Sequence, residues 1–114
     1  MTSELPALRR GHIYWARLDK RRPVLVLSPD YRNERAYDVI VIPLSSRIRA
    51  APTHVRVRRG EGGLTEPSIL KCEQITTLPK DLLDPAPLGG PLSKRRLAEI
   101  EQAVLRAIGV PVGY

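Results

Sequence analysis

Two short segments of this chain are apolar at nearly every position. They are PVLVLS (residues 23–28) and YDVIVIPL (37–44), and both are rich in leucine and β-branched residues. This length and composition are typical of strands, and a nearly unbroken apolar run belongs in a strand that is buried on both faces. The sequence therefore predicts either a sheet whose central strands are covered on both sides or a barrel.

Four further segments have strand character, namely HIYWARL (12–18), THVRVRR (53–59), SILKCEQI (68–75) and TTLP (76–79). In THVRVRR the apolar and polar residues alternate, so Val55 and Val57 should face inward while His54, Arg56 and Arg58 face outward. The connections are too short for parallel crossovers, so neighbouring strands should pair antiparallel. A small, strongly curved antiparallel sheet or barrel follows.

One helix is well specified near the C-terminus. Ser93 suits its N-cap, Gly109 suits the left-handed position after its end, and apolar residues recur between them at spacings of three and four, at Leu97, Ile100, Val104 and Ile108. A chain of 114 residues is expected to form one domain over residues 1–114, with residues 1–9 as a flexible N-terminal arm. The predicted fold class is mainly β with one C-terminal helix.

Positive charge is concentrated in the first half of the chain. Residues 1–59 contain thirteen Lys/Arg and five Asp/Glu, whereas residues 60–114 contain six and seven, within a net charge of +7. A localised cationic field attracts polyanions, so nucleic acid or an acidic protein segment is the expected partner. A basic surface that only maintains solubility is the alternative.

The chain has no apolar run long enough for a membrane helix and no secretory signal, and the single Cys72 cannot form an intramolecular disulfide. We therefore expect a cytoplasmic protein with no membrane partner. His12, His54, Cys72 and the carboxylates lack the paired spacing of a zinc site, so no metal or other cofactor is expected.

Several motifs resemble those of one known family. RRGHIYWARL, RRPVLVLSPD, PLSSRIRAAPTHVRV and GEGGLTEPSILKCEQITTLPKDLL are similar, in this order and spacing, to the signatures of the MazF/PemK toxins, from about Arg10 to Ile108. The resemblance implies a small SH3-like (PemK/CcdB-like) curved antiparallel barrel with a C-terminal helix, and a homodimer. It also implies the toxin of a type II toxin–antitoxin system, a metal-independent, sequence-specific endoribonuclease that inhibits translation and growth and is neutralised by an acidic antitoxin.

Metal-independent RNA cleavage uses the adjacent 2′-OH as nucleophile and leaves a cyclic phosphate and a 5′-OH, so the site must stabilise charge on the phosphate. The resemblance implies that Arg22 is catalytic, and Pro23 restricts it to an extended conformation on a rigid strand. Ser45 takes the place of the family's catalytic threonine, with adjacent Ser46 as the alternative. A mechanism through His12 and His54 is a weaker alternative.

Further residues are candidates for binding RNA, whether mRNA, tRNA or rRNA: Lys20, Arg21, Ser46, Arg47, Arg49, His54, Arg56 and Gln74. The loop between the first two strands is shorter than in the family, which predicts an open groove that admits folded RNA. Trp15 is expected in the core rather than in the site. The alternative functions are a non-catalytic RNA- or DNA-binding barrel and a gyrase-poisoning toxin of the same fold.

Overall fold

The computed structural model describes residues 7–112, and within this range the chain forms six strands and two α-helices. Their bounds are β1 Ile13–Arg17, β2 Arg21–Val26, α1 Asp30–Arg35, β3 Asp38–Ser45, β4 His54–Val57, β5 Ser68–Lys71, β6 Thr76–Pro79 and α2 Lys94–Ala107. None of the helices in the described part of the chain has the length and apolar character needed to cross a bilayer. The predicted mainly β fold class with a C-terminal helix is confirmed.

All strand pairs are antiparallel, in the order β1-β2-β3-β5-β4, and β6 also pairs with β3. Strand β3 changes partner along its length: its first residues pair with β6, its middle with β2, and its last two, Leu44 and Ser45, with β5. Strand β3 is therefore shared by two parts of the sheet, one that contains β1, β2 and β6 and one that contains β4 and β5. It also places the end of β3 beside the start of β5.

The sheet is not closed into a barrel, so of the two predicted architectures the structure has the antiparallel sheet and not the barrel that the resemblance implies. Strand β1 pairs with β2 but not with β4, the strand at the other end of the order. The outer edge of β1 is covered instead by the connector before α2. The amides of Asp84, Leu88 and Leu92 donate to the carbonyls of Trp15, Ile13 and Gly11, at 2.8–2.9 Å. These bonds satisfy the backbone carbonyl groups along the edge of β1, which has no further strand beside it.

Both faces of the sheet are buried, as the apolar runs predict. One cluster lies between the sheet and α2 and includes Ile13, Leu25, Ile42 and Ile100. The other lies on the opposite face and contains residues that alternate with these along the strands, among them Tyr14, Val24, Val26 and Val41, together with Leu83 from the connector. Neighbouring residues of one strand thus enter different clusters, which is why residues 24–26 of β2 and 39–44 of β3 are all apolar.

Helix α2 begins and ends as predicted. The Ser93 hydroxyl accepts a hydrogen bond from the Arg96 amide at 3.1 Å, and Gly109 has φ 84° just beyond the last turn. Strand β5 is shorter than predicted, since Cys72–Gln74 form a 3₁₀ turn between β5 and β6. Helix α1 is not predicted, because it buries only Asn33 and so lacks an apolar stripe.

The expected N-terminal arm does not extend to residue 9. Leu8 is buried, and the Arg9 amide donates to the Tyr14 hydroxyl at 2.9 Å. Both residues are therefore part of the folded body. The rest of the expected arm, residues 1–6, lies outside the described residues.

Candidate active site

A cavity of about 280 Å³ opens where the start of β2, the end of β3 and the segment before β5 meet. Leu44, Leu64 and Leu88 supply apolar wall. Five of the residues that the sequence singles out also border it: Lys20, Arg21, Arg22, Ser45 and Ser46. The fold therefore brings a cluster of cations and two hydroxyls, from segments more than twenty residues apart, around one concave surface.

Arg22 is held at the mouth of the cavity by the strand that follows it. Val24, Leu25 and Val26 are at most 1% exposed, so the strand is anchored in both core clusters immediately after Pro23. The Arg22 side chain itself is 49% exposed. Among residues 7–112 its one ionic contact is to Asp19, at 3.9 Å, and the Asp19 side chain is 80% exposed. Such a contact is weak, so the guanidinium is available to a ligand.

Arg21 is engaged elsewhere, unlike Arg22. Its guanidinium lies 4.7 Å from the centre of the Trp15 ring and donates to Asp84 at 3.0 Å. Asp84 also accepts from Arg17 at 2.9 Å, and the hydrogen bond from Arg21, followed by that from Arg17, lowers the pKa of this carboxyl. Trp15 is half-buried and borders the cavity rather than lying in the core, which corrects the expectation for this residue.

The two adjacent serines differ in how firmly they are held. Ser45 is the last residue of β3 and half-buried, and its Oγ accepts a hydrogen bond from the Arg47 amide at 3.1 Å. This bond occupies an acceptor site and leaves the hydroxyl proton free to be donated. Ser46 is exposed and lies beyond the strand. Ser45 is therefore the better oriented donor toward a bound anion.

Glu66 also borders the cavity, and sequence reasoning missed it. It is the one acidic residue that borders the cavity within the described range, and its carboxylate has no hydrogen-bond or ion-pair partner there. Its position follows from the register: Ser45 is opposite Ile69, so the residues that precede β5 lie beside those that follow β3. Glu66 could have been found from the sequence only if the pairing of β3 with β5 had been predicted.

The other predicted RNA-binding residues lie outside the cavity. Arg47 and Arg49 are exposed in the loop between β3 and β4, Arg56 is exposed on β4, and Gln74 is exposed in the turn after β5. His54 was expected to face outward, but its side chain is only 11% exposed. Its ring nitrogens lie 3.0 Å from the Arg49 carbonyl and 3.2 Å from a Glu73 carboxylate oxygen.

His, Cys, Asp and Glu, the residue types that commonly bind metal ions, are dispersed over residues 7–112. Between residues 7 and 112 no three His, Cys, Asp or Glu side chains come together in a way that could hold a metal ion. Cys72 is fully buried, and burial raises the pKa of its thiol to about 12. This thiol is therefore not a nucleophile at neutral pH.

The chain is similar to several known proteins over nearly its whole length. The endoribonuclease MazF of Staphylococcus saprophyticus is 31% identical over 113 residues, covering 90% of this chain and 92% of that protein. A solved endoribonuclease from a mycobacterial species superposes with a TM-score of 0.82 at 29% identity, covering 97% of this chain and all of that one. A mycobacterial endoribonuclease solved in complex with its cognate antitoxin has a TM-score of 0.81 at 30% identity, covering 94% of this chain and all of that one.

A family model covers nearly the whole domain. The model for the PemK-like, MazF-like toxin of type II toxin–antitoxin systems matches residues 9–108, which span all six strands and both helices. The matched range contains every residue that borders the cavity. The chain therefore belongs to the PemK-like, MazF-like toxin family of type II toxin–antitoxin systems.

Proposed function

We propose that this toxin cleaves RNA at a defined sequence without a metal ion, and that the reaction takes place in the cavity between β2, β3 and β5. The observation that carries the proposal is that Arg22, Ser45 and Glu66 border the same cavity of about 280 Å³. Cleavage of mRNA, tRNA or rRNA would arrest translation and growth. Since RNA and ribosomes are its targets, the toxin would act in the cytoplasm.

In this mechanism Arg22 binds the scissile phosphate. A guanidinium can hold two phosphate oxygens at once, and it stabilises the negative charge that grows on the five-coordinate phosphorus. The Ser45 hydroxyl donates a hydrogen bond to another phosphate oxygen. The 2′-oxygen forms a bond to phosphorus, the bond from phosphorus to the 5′-oxygen breaks, and the products are a 2′,3′-cyclic phosphate and a 5′-OH.

Glu66 is the residue we assign to the transfer of the 2′-OH proton. A general base must be close to the proton it removes and must not be committed to another partner. Glu66 borders the cavity, and its exposed carboxylate is unpaired among residues 7–112. It accepts the proton as the 2′-oxygen attacks, and the departing 5′-oxygen takes a proton from solvent water.

Cleavage of a long RNA in the presence of EDTA tests the proposed function. We expect fragments with 5′-OH ends, and we expect Arg22→Ala to reduce the rate by roughly 10²- to 10³-fold, the usual effect of removing one electrostatic stabiliser. Arg35→Ala is the matched control, since Arg35 is an exposed arginine on α1, outside the cavity. Full-length RNA that binds but is not cut would favour the non-catalytic alternative. Inhibition of supercoiling without RNA cleavage would favour the gyrase poison.

An acidic antitoxin is the proposed protein partner. The mycobacterial relative is solved with its cognate antitoxin, and this chain concentrates its positive charge in residues 1–59. We also propose a homodimer, since large apolar side chains are exposed near the end of α2: Leu105 is 36%, Ile108 64% and Val110 41% exposed. Light scattering that finds a monomer at micromolar concentration would contradict the dimer.

A further inference from the structure

A second cavity, of about 420 Å³, is lined by one proline and four arginines, Arg56, Arg58, Arg59, Pro67 and Arg96. It is open to solvent and contains no aromatic residue and no carboxylate among the described residues that line it. Of these residues, only Arg56 is among the candidates that the sequence singles out for binding RNA. The mechanism above does not use any of them.

Three of the four guanidinium groups are free to bind a ligand. Arg96 is committed, because it donates to both oxygens of Glu61, at 2.9 and 3.0 Å, and to Glu99 at 3.1 Å. The hydrogen bond from Arg96 lowers the pKa of Glu61, and the same bond raises the pKa of Arg96, so both stay charged at neutral pH. In contrast, the exposed side chains of Arg56, Arg58 and Arg59 have no hydrogen-bond or ion-pair partner within residues 7–112.

Unpaired cations that converge on one concavity repel one another, and an anion removes this repulsion. Glu61 and Glu99 offset part of the positive charge: both pair with Arg96, and Glu61 also accepts from the Arg58 amide at 2.6 Å and attracts the Arg58 side chain. Four arginines against two carboxylates still leave a net positive charge around the cavity. Guanidinium groups match phosphate oxygens in a bidentate geometry, and a wall without aromatic rings has no platform for stacking bases. The chemistry thus fits phosphates rather than bases.

The arginine cavity lies next to the proposed active site. Glu66 and Ser68 border the active-site cavity, whereas Pro67, between them in sequence, borders the arginine cavity. One backbone segment therefore separates the two. The pairing of β4 with β5 places Val57 opposite Ser68, so the arginines at and beyond the end of β4 follow the same segment. An RNA strand that extends from Arg22 across this segment would therefore meet the arginine cavity.

We propose that Arg56, Arg58 and Arg59 bind backbone phosphates of the RNA that flank the scissile bond, and so extend the binding site beyond the catalytic cavity. The proposal rests on the proposed function for its substrate. An acidic protein segment could also meet this charge, but continuity with the cavity that holds the reacting phosphate favours RNA. The arginine cavity then contributes affinity for long RNA and makes binding dependent on salt.

The test compares two double variants that lose the same charge. Arg56→Ala/Arg59→Ala removes two free arginines of the cavity, and Arg9→Ala/Arg35→Ala removes two exposed arginines outside it. Binding of fluorescently labelled RNA is measured by anisotropy at several salt concentrations. The probes are a long single-stranded RNA and a short oligonucleotide limited to the mapped cleavage site. Cleavage rates are measured on both, and thermal unfolding confirms that the variants are folded.

We expect the cavity variant to bind the long RNA at least about tenfold more weakly, because two charge-assisted phosphate contacts are lost. The slope of log Kd against log salt should fall by ~0.7 for each lost contact on a single strand. On the short oligonucleotide the loss of affinity should be much smaller, because this RNA does not extend to the arginine cavity. The control variant should bind both RNAs as the wild type does.

Three outcomes would overturn the proposal: unchanged affinity of the cavity variant for long RNA, an equal loss in the control variant, or weaker binding of a glutamate-rich peptide with RNA affinity unchanged. The last outcome would assign the cavity to an acidic protein. If the wild type binds RNA but does not cleave it, the proposed function fails, and the contrast in anisotropy still decides whether the cavity binds RNA.

Discussion

Arg22 is distinguished from its basic neighbours by its contacts and not by its charge. Arg21 is held by Asp84 and the Trp15 ring, whereas Arg22 has only a 3.9 Å contact with the exposed Asp19. Three consecutive cations thus divide into one that stabilises the wall of the cavity and others that remain available. Individual contacts, which the composition of the segment does not reveal, decide which arginine can bind phosphate.

The two serines at the end of β3 should differ sharply when each is replaced by alanine. Because the Arg47 amide orients the Ser45 hydroxyl, Ser45→Ala should lower the cleavage rate by roughly 10²-fold, the usual effect of removing one donor to the transition state. Ser46→Ala should retain nearly full activity. Ser45→Thr should also remain active, because threonine keeps the hydroxyl that alanine lacks. The measurement is kcat on one RNA. Equal losses in both alanine variants would argue against a specific role for Ser45.

Glu66→Gln tests the proposed proton acceptor. The amide preserves the shape of the side chain but cannot take up a proton, so kcat should fall by roughly 10²-fold or more while KM changes little. Both kcat and KM are measured for the wild type and the variant on one RNA that contains the cleavage site. A variant that keeps the wild-type kcat would show that another group accepts the proton.

At the scale of the elements, the loop that precedes β5 needs glycine. Gly63 has φ 86°, and a Cβ on it would lie 2.3 Å from the Leu88 carbonyl oxygen. The loop and the connector that covers β1 thus pack backbone against backbone. Since Leu64 and Leu88 both border the active-site cavity, this contact also shapes the cavity wall.

Gly63→Ala and Gly60→Ala form a matched pair. Both glycines have positive φ, 86° and 95°, so both substitutions introduce backbone strain of roughly 1–3 kcal/mol. Only Gly63 has backbone atoms in the way, because a Cβ on Gly60 would meet nothing within 4 Å. Gly63→Ala should therefore destabilise the protein clearly more in urea unfolding. Equal destabilisation by the two substitutions would mean that the connector moves away from a Cβ on Gly63 without any further loss of stability.

At the scale of the whole molecule, ion pairs should make stability depend on acid pH. Hydrogen bonds from Arg96 lower the pKa of Glu61, and those from Arg21 and Arg17 lower the pKa of Asp84. A carboxyl whose pKa is lower in the folded state stabilises the fold above its unfolded pKa, near 4. This contribution is lost as pH falls through the lower, folded value. Thermal unfolding midpoints should therefore drop below about pH 4.

Glu61→Gln isolates one of these pairs. At pH 7 the variant should be less stable by on the order of 1 kcal/mol, because the charge-assisted bonds to Arg96 are lost. The difference from the wild type should vanish at low pH, where Glu61 is protonated in both states. Unfolding in urea across pH 2.5–7 measures it, and a difference that does not change with pH would contradict the assignment.

Local pattern was sufficient for most of the elements. The apolar runs predicted the strands that are buried on both faces, and the cap, spacing and terminal glycine predicted α2, because each of these signals acts over a few residues. Helix α1 escaped prediction, since it is held by contacts to distant residues, such as the 2.8 Å bond from the Arg10 amide to Asp30. Its stability does not depend on a pattern within its own six residues.

The sequence by itself determined which segments are strands, which helix closes the fold, and that Arg22 and Ser45 stand at strand ends. Only the tertiary structure decided that the sheet stays open, that Glu66 joins the cavity, that Arg49 and Glu73 cover His54 and that arginines from two segments share a second cavity. The physical reason is the distance along the chain over which each interaction acts. Burial patterns and caps are local, whereas the pairing of β3 with β5 and the covering of β1 by the connector depend on contacts between residues far apart in the chain.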